Sequence, residues 1–482
     1  MRRFDRGLGR TFWALLALTA GGAALRFSTL RTQSYWYDEA ITVGLVRRSF
    51  TGMLGALPHS ESTPPFYYVL AWGWARLLGT GEAGLRSLSA LLGTATIPAT
   101  YFAARSFVLR RSSLVAATLV AVSPLLVWYS QEARAYALLV FLGALTLALL
   151  CPAAETSGER WLGGWAFTSA LALATHYFAV FLIAPEAAWL LYRMGNARPA
   201  RRAVAIVAIV GCLLAPLAAY QARYSEHTAW ISNSASPAGR LAYLLHQLVI
   251  GAYPATHIRL LLAAVPVVLL VGALTWTGRD DRAGALRALA FAAFAIGAPL
   301  LAAVAGDRFF AGRGDYFIYR NLIVATIPLT IAAAAVIGAA RGAGLVVLGI
   351  ACVLLVAVSV AIARRPSLQR PDVRAVAAML GAPRRARVVV VDIRTATVLK
   401  LYRPLEALPK LGAPVAEVDL VPEPDQSRAR SLPRGFRLFA TDRIDTFTIS
   451  RFRLGPPLLE RPPTLSRLLP SSRQVSVLRD SR

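Results

Sequence analysis

The amino-acid sequence predicts a mainly α-helical protein: a bundle of about eleven membrane crossings with interfacial helices, followed by a small C-terminal α/β domain. Apolar residues make up 56% of the 482 residues. Apolar runs of about 18 to 22 residues, long enough to cross a bilayer as a helix, recur up to residue 363. Beyond that point the long runs stop and short strand patterns replace them. We therefore expect a transmembrane domain at 1–363 and an α/β domain at 364–482.

The distribution of arginines predicts the topology of the bundle. The first crossing is expected at 11–30, and the arginines before it should hold its start in the cytoplasm, so the loop 31–63 faces outside. Segments 65–79 and 241–252 are too short to span and are interpreted as interfacial helices, because a crossing at 65–79 would place the basic residues 105–111 outside. The other crossings are expected at 84–104, 112–128, 135–151, 160–175, 178–192, 203–220, 257–277, 285–305, 321–340 and 342–363. The odd total puts the C-terminal domain outside a multi-pass inner or plasma membrane protein.

The C-terminal domain shows strand and helix signals at a smaller scale. Arg387 to Asp392 is predicted to be a buried strand, and Asp372 is predicted to cap a helix that runs to Leu380. Further strands are expected near 415–421, 436–441 and 447–454. The end of the chain, after about residue 456, is rich in Pro, Ser and Arg and is expected to be a loosely ordered tail.

The net charge of +27 is almost all arginine. These arginines lie between apolar runs and in the C-terminal part, so we interpret them as charges that flank membrane segments and form a basic exposed domain. Such a surface favours anionic lipid head groups or phosphate-bearing ligands, and no nucleic-acid partner is expected. The three cysteines form no CxxC pair and predict no disulfide framework. No Walker loop, HExxH motif or Cys/His ligand spacing is present, so no cofactor is indicated and the need for a divalent cation is left open.

Two adjacent acids, Asp38 and Glu39, are the first candidates for chemistry. Carboxylates at a membrane surface are costly and are functional candidates by default. We expect one of them to act as a general base on a hydroxyl acceptor, and the other to orient a backbone or bind the acceptor. The alternative is that Asp38 caps a helix beginning at Ala40 while Glu39 favours its dipole. Both roles can hold together.

Three further segments on the predicted outer side carry candidate binding residues. Arg134 can hold a phosphate oxygen by charge-assisted hydrogen bonds, or it can form a ligand-free surface pair with Glu132. His176 has a structural alternative, because a lone histidine is more often a hydrogen-bonded interface residue than a catalyst. Arg320 lies at head-group depth, and Arg86 begins a crossing, although flanking arginines that snorkel are common. The aromatic candidates beside these residues are Tyr67, Tyr129, Tyr136, Tyr177 and Tyr319.

At these residues the chain resembles the polytopic glycosyltransferases of the GT-C type, with the bacterial family 39 group as the best match. That group is related to the protein O-mannosyltransferases and to the lipid A aminoarabinose transferase. The resemblance rests on segments that follow the order of the family. They are YWYDEA at 35–40, STPPFYYVL at 62–70, GEAGLRSLSALLG at 81–93, SPLLVWYSQEARAYALL at 123–139, THYFA at 175–179, YRNLIVATIP at 319–328 and PDVRAVAAML at 371–380.

The resemblance implies an inverting transfer of a sugar from a polyprenyl-phosphate carrier to an acceptor on the outer face of the membrane. Asp38 would be the catalytic base with Glu39 beside it. Arg134 and Arg320, and less directly Arg86, would face the lipid phosphate, and Pro65 with its neighbouring rings would line the substrate site. The sequence departs from the pattern at Ser62-Thr63, where many relatives carry histidine, and at Asn321, where relatives often carry tyrosine.

The expected partners are therefore a polyprenyl-phosphate-linked sugar, membrane lipid, and a glycan, lipid or protein acceptor. The enzyme would be a hexosyl- or pentosyltransferase, and the sugar is left open. A non-catalytic transporter or flippase for lipid-linked glycans would share the helices, but it would more often bury charges at mid-membrane and show inverted repeats. An accessory subunit is the third hypothesis, and it predicts that Asp38 is dispensable.

Overall fold

The chain divides into two compact units. The computed structural model describes residues 2–156, 158–223, 231, 236–251, 265–309, 315–382, 386–422, 435–444, 446–469 and 474–480. One unit comprises Met1–Leu30 and Leu45–Ala361, and the second comprises Arg31–Gly44 and Ile362–Arg482. The loop 31–44 thus groups with the C-terminal residues, which the sequence did not predict.

In the residues that the structure describes, the first unit, called here the helical unit, is built mainly of α-helices. These are α1 (Arg2–Phe27), α2 (Tyr37–Val46), α3 (Phe50–Ser60), α4 (Phe66–Leu78), α5 (Glu82–Arg105), α6 (Arg110–Val122), α7 (Pro124–Ser130), α8 (Tyr136–Thr156), α9 (Glu159–Thr175), α10 (Val180–Arg193), α11 (Arg198–Gln221), α12 (Pro237–Ile250), α13 (Val265–Thr275), α14 (Arg279–Phe309), α15 (Thr326–Ala339) and α16 (Arg341–Arg364). Helices α2 and α16 each begin in one unit and end in the other.

Several of these helices are suited to cross a bilayer. Among the described residues, four are long and apolar enough by length and composition: Tyr136–Glu155, Arg198–Gln221, Asp281–Gly306 and Arg341–Arg364. The pair α6 and α7, bent by 56°, makes a fifth if it is one span. The chain is therefore a multi-pass membrane protein. The eleven crossings expected from the sequence stay a prediction, and part of the one expected at 257–277 lies outside the described residues.

A buried arginine stabilises the bend between α6 and α7. Pro124 has no N–H, so it cannot bond the carbonyl of Val120 four residues before it. Arg26, fully buried on α1, donates to the Val120 and Ala121 carbonyls at 2.9 Å each, and its Nε donates to Ser130 Oγ at 3.2 Å. Backbone carbonyls left without a donor in lipid are costly. Arg26 supplies the hydrogen bonds that the break between α6 and α7 removes, and this bend sets the position of Ser130 and the loop after it.

A buried carboxyl group in the helices, that of Glu186 on α10, also has partners within the bundle. Its carboxyl oxygens lie 3.0 Å from Thr146 Oγ1 and 2.8 Å from Trp165 Nε1. A carboxyl inside a membrane bundle is expected to pair with polar neighbours. Arg26 and Glu186 are thus engaged in packing contacts of the bundle, a feature that the sequence analysis did not predict.

The second unit, called here the sheet unit, contains a six-stranded sheet in its described residues, in the order β2-β6-β1-β3-β5-β4. Only the pair β1 and β3 is parallel in this order. The elements are α17 (Val373–Met379), β1 (Arg387–Asp392), α18 (Ile393–Tyr402), β2 (Leu405–Ala407), β3 (Ala413–Val421), β4 (Arg437–Ile444), β5 (Phe447–Glu460), α19 (Pro462–Ser466) and β6 (Val475–Asp480). Strand β1 is buried along its whole length, as predicted. The cap of α17 is also confirmed, because Asp372 accepts from the Ala375 N–H at 3.1 Å.

The expectation of a loosely ordered tail is wrong for the described residues. Strand β5 continues to Glu460, and β6 pairs with both β1 and β2 inside the sheet. The Pro, Ser and Arg content suggested disorder, but Val477 and Val475 place apolar side chains on the core formed by β1, β3 and β5. Two such residues in alternation make a strand that becomes stable only when its partners are present.

Candidate functional site

The two candidate acids have different surroundings at the start of α2. The helix begins at Tyr37, so Asp38 lies in its first turn, and the alternative in which Asp38 caps a helix beginning at Ala40 is not observed. Glu39 is fully buried, and its Oε2 accepts a hydrogen bond from the Trp36 N–H at 3.4 Å. This contact is one half of a capping box. Glu39 therefore orients the helix start, whereas the Asp38 side chain is half-buried.

The loop that carries these acids is attached to the rest of the sheet unit. The Tyr35 N–H donates to the Tyr402 hydroxyl at 2.7 Å, and the Val373 N–H donates to Ser34 Oγ at 3.2 Å. The Arg370 guanidinium lies 3.8 Å from the ring centroid of Trp36, a distance at which cation–π attraction is effective. The position of Asp38 thus depends on contacts with residues more than 300 positions later.

In the helical unit, Arg134 forms a buried ion pair with Glu61. The guanidinium donates from Nη1 to Oε1 at 2.5 Å and from Nη2 to Oε2 at 2.9 Å. The two side chains are only 8% and 5% exposed. Arg134 and Glu132 are both buried, so the alternative of an exposed surface pair is not observed, and Arg134 binds the carboxylate of Glu61. This two-point geometry is the one in which arginine also binds phosphate.

Aromatic rings bring the predicted outer segments of the helical unit together. The ring centroids of Tyr129 and Tyr136 are 4.7 Å apart, and those of Tyr129 and Tyr319 are 6.2 Å apart. Tyr136 also lies 5.9 Å from the His176 ring. Three segments that are distant in sequence thus meet in one cluster. We call it the aromatic–arginine cluster: Tyr129, Glu132, Arg134, Tyr136, His176, Tyr319 and Arg320, of which Arg320 acts electrostatically on Tyr129 and on His176.

His176 is a neutral residue in this cluster. Its Nδ1 accepts a hydrogen bond from the Phe178 N–H at 3.2 Å and so begins the next helical turn. Burial first, and then the charges of Arg134 and Arg320, lower the pKa of His176 to about 3. With Nδ1 as acceptor, the ring proton is assigned to Nε2. His176 is thus a poor base at neutral pH, in agreement with its structural interpretation, but it can donate a hydrogen bond.

The Ser-Thr-Pro-Pro segment is connected to the end of α11. The Thr63 carbonyl accepts from Gln221 Nε2 at 3.2 Å, and Gln221 Oε1 accepts from the Tyr177 hydroxyl at 2.8 Å. The Thr63 and Tyr68 hydroxyls are 3.2 Å apart. Burial raises the pKa of Tyr68 well above its ordinary value, so this hydroxyl stays protonated. Tyr177 therefore contacts this segment through Gln221.

The remaining predicted residues are Pro65, Tyr67 and Arg86. Pro65 precedes α4 as its N-cap residue, and the Tyr67 ring packs edge-on against Tyr68 with centroids 5.5 Å apart. Arg86 is buried on α5, and its Nη1 donates to the Leu30 carbonyl at 2.8 Å. This bond connects α5 to the turn after α1, so it gives Arg86 a packing role of its own.

The segment before α15 that carries Tyr319 and Arg320 is fixed by its own polar contacts. The Asp315 carboxylate pairs with Arg240 of α12 and also accepts from the Phe317 N–H at 3.1 Å. Asn321 Nδ2 donates to the Tyr316 carbonyl at 2.8 Å. Arg313, another arginine of this loop in the sequence, lies outside the described residues.

The sequence analysis missed Glu61, Tyr68 and Gln221, which contact the predicted residues Arg134, Tyr67 and Tyr177 respectively. Glu61 directly precedes the Ser-Thr-Pro-Pro motif, and an acid beside that motif was the available signal. Among the residues that the structure describes, no group of three His, Cys, Asp or Glu side chains is placed to hold a metal ion.

A family model described as dolichyl-phosphate-mannose-protein mannosyltransferase matches residues 62–220. The crystal structure of ArnT from Cupriavidus metallidurans bound to undecaprenyl phosphate is similar with a TM-score of 0.54 and 14% identity, over 92% of this chain and 98% of that one. A comparison with curated protein sequences gave no match.

Two further structures resemble smaller shares of the molecule. The S. cerevisiae Pmt1-Pmt2 complex bound to the sugar donor has a TM-score of 0.34 at 19% identity, over 46% of this chain and 34% of that one. The Archaeoglobus fulgidus oligosaccharyltransferase in complex with Zn and sulfate has a TM-score of 0.42 at 15% identity, over 77% and 56%. The likeness to ArnT identifies the fold, and the predicted resemblance to GT-C polytopic glycosyltransferases is confirmed.

Proposed function

We propose that this protein is an inverting glycosyltransferase that moves a sugar from a polyprenyl-phosphate carrier to an acceptor hydroxyl on the outer face of the membrane. The GT-C fold and the mannosyltransferase family match support this reaction class. The observation that carries the proposal is the aromatic–arginine cluster, in which Arg134 and Arg320 come from segments almost 190 residues apart and act on the same buried histidine.

In the proposed reaction, the acceptor oxygen attacks the anomeric carbon while the bond from that carbon to the phosphate oxygen breaks. The electron pair leaves with the carrier phosphate, and a single displacement inverts the anomeric centre. Arg134 and Arg320 would neutralise the charge that develops on the leaving phosphate. The Nε2–H of His176 is a further donor for a phosphate oxygen.

Asp38 is the proposed general base that takes the proton of the acceptor hydroxyl. Its half-buried side chain in the first turn of α2 supports this role, because part of the carboxylate stays accessible to an acceptor. Glu39 has the complementary role of orienting the helix start through the Trp36 N–H. In this proposal the C-terminal sheet unit is extracytoplasmic. The donor is a hexosyl or pentosyl phospholipid, and a glycan, lipid or protein accepts the sugar.

The test is sugar transfer in membranes from a panel of radiolabelled polyprenyl-phosphate sugars. We expect one donor class to be active and Asp38→Asn to reduce transfer by about 10²- to 10⁴-fold at matched expression. Glu39→Gln is the matched control: its amide oxygen still accepts from the Trp36 N–H, so transfer should fall by less than about tenfold. Equal transfer by wild type and Asp38→Asn would remove Asp38 from catalysis. Binding of polyprenyl phosphate without transfer from any donor would favour the transporter or accessory hypothesis.

A further inference from the structure

The Glu61–Arg134 pair uses the edge of the Arg134 guanidinium that its two terminal nitrogens form. Both terminal nitrogens of the guanidinium donate to Glu61, one to each carboxylate oxygen. Glu61 is itself held at the end of α3, where its N–H donates to the Leu57 carbonyl at 3.1 Å. A phosphate also binds arginine through two parallel hydrogen bonds. A carrier phosphate that reaches Arg134 must therefore displace Glu61 or lie next to its negative charge.

The burial of the pair makes this competition strong. The two side chains are 8% and 5% exposed, so water screens their charges poorly and a unit charge a few ångströms away has a large effect. Glu61 lowers the net positive charge that Arg134 and Arg320 present to a phosphate. The difference in affinity between a singly and a doubly charged phosphate at this site therefore depends on Glu61.

Resting on the proposed function, we propose that Glu61 is an exchangeable counter-ion of Arg134 that promotes release of the spent carrier. The sugar donor is a phosphodiester with one negative charge. After transfer the carrier is a phosphomonoester, with about 1.5 to 2 negative charges at pH 7. Two arginines alone would hold this product more tightly than the donor. The negative charge of Glu61 repels the product more than the donor, and so it reduces the difference in affinity between them. Glu61 acts through Arg134 and is a positioning residue.

The experiment measures binding to purified full-length protein in nanodiscs with two probes, undecaprenyl phosphate and its methyl ester, which differ in charge. Gln is isosteric with Glu and still accepts one hydrogen bond from Arg134, so Glu61→Gln removes the charge with little change in shape. We expect Glu61→Gln to bind undecaprenyl phosphate about tenfold more tightly than wild type, and the methyl ester only about threefold more tightly. Glu186→Gln, a change at a buried acid bonded to Thr146 and Trp165, is the control and should leave both dissociation constants unchanged.

A steady-state readout separates this role from a merely structural one. Glu61→Gln should lower kcat and strengthen inhibition by undecaprenyl phosphate while the KM for the donor stays level or falls. A structural role alone would instead weaken binding of both probes. Unchanged or weaker binding of undecaprenyl phosphate by Glu61→Gln would overturn the inference.

Wild type alone keeps the inference testable if Glu61→Gln does not fold. Its dissociation constants for the two probes should agree within about threefold, because Glu61 offsets the extra attraction of the monoester. A wild type that binds the monoester more than about tenfold more tightly than the methyl ester would refute the role of Glu61. A wild type that binds neither probe would refute the proposed function itself, which is a distinguishable outcome.

Discussion

Replacing Arg134 by Met should strongly destabilise the protein, because it leaves the Glu61 carboxylate buried without its cation. The pair is bidentate, with hydrogen bonds of 2.5 and 2.9 Å, and both side chains are more than nine-tenths buried. Breaking such a pair at one partner costs about 3–5 kcal/mol. Replacing both partners by apolar residues of similar volume is close to neutral, because no buried charge remains. The double variant Glu61→Met/Arg134→Met should therefore recover most of the stability that Arg134→Met loses.

The free energy of unfolding of the four proteins in this cycle can be measured by reversible SDS titration in mixed micelles. We expect the coupling energy between the two sites to be about 3 kcal/mol or more. Transfer activity should follow a different order, because the double variant folds but lacks the arginine proposed to bind the leaving phosphate. A cost below about 1 kcal/mol for Arg134→Met would show that the pair behaves as an exposed one. Full transfer by the double variant would remove Arg134 from phosphate binding.

Three further predictions concern single residues. Arg26→Met should lower the free energy of unfolding by about 3 kcal/mol or more, because the Val120 and Ala121 carbonyls lose their donors. Arg10→Met, at an exposed arginine of the same helix, is the control. An equal loss of stability in both variants would contradict the capping role of Arg26. The pKa of His176 is about 3 in the folded protein, below the ordinary value of 6.5. The unfolded chain therefore binds a proton more readily, so the contribution of His176 to stability is full above pH 6.5 and is lost as the pH falls toward 3. Over this range the free energy of unfolding should fall by up to about 1.4 kcal/mol per pH unit. His176→Gln should flatten this part of a stability–pH curve, and an unchanged slope would contradict the assigned cause. Asp372→Ala should cost about 1 kcal/mol by loss of the α17 cap, measured against Asp372→Asn, which retains an acceptor; equal losses in both would refute it.

Much of the fold follows from local pattern. Apolar runs predict the helices of the helical unit, since a bilayer or a bundle requires apolar helix surfaces whatever their neighbours are. The strand at Arg387–Asp392 and the Asp372 cap are likewise encoded within a few residues. The order of the motifs also led to the GT-C fold, and the aromatic and arginine segments named from the sequence do meet in one cluster.

Other features were decided only by the tertiary structure, because they depend on partners far along the chain. The carboxylate that binds both terminal nitrogens of Arg134 belongs to Glu61, 73 residues away. The loop of Asp38 contacts Tyr402 and Arg370 of the sheet unit. Strand β6 became recognisable only beside β1 and β2. Hydropathy and periodicity predict the secondary structure of a segment and which of its faces is apolar. They do not predict which distant charges or strands pair, because that depends on which segments fold together. The sequence therefore determined the elements and the residue types of the site, and the tertiary structure decided which charges meet within the helical unit.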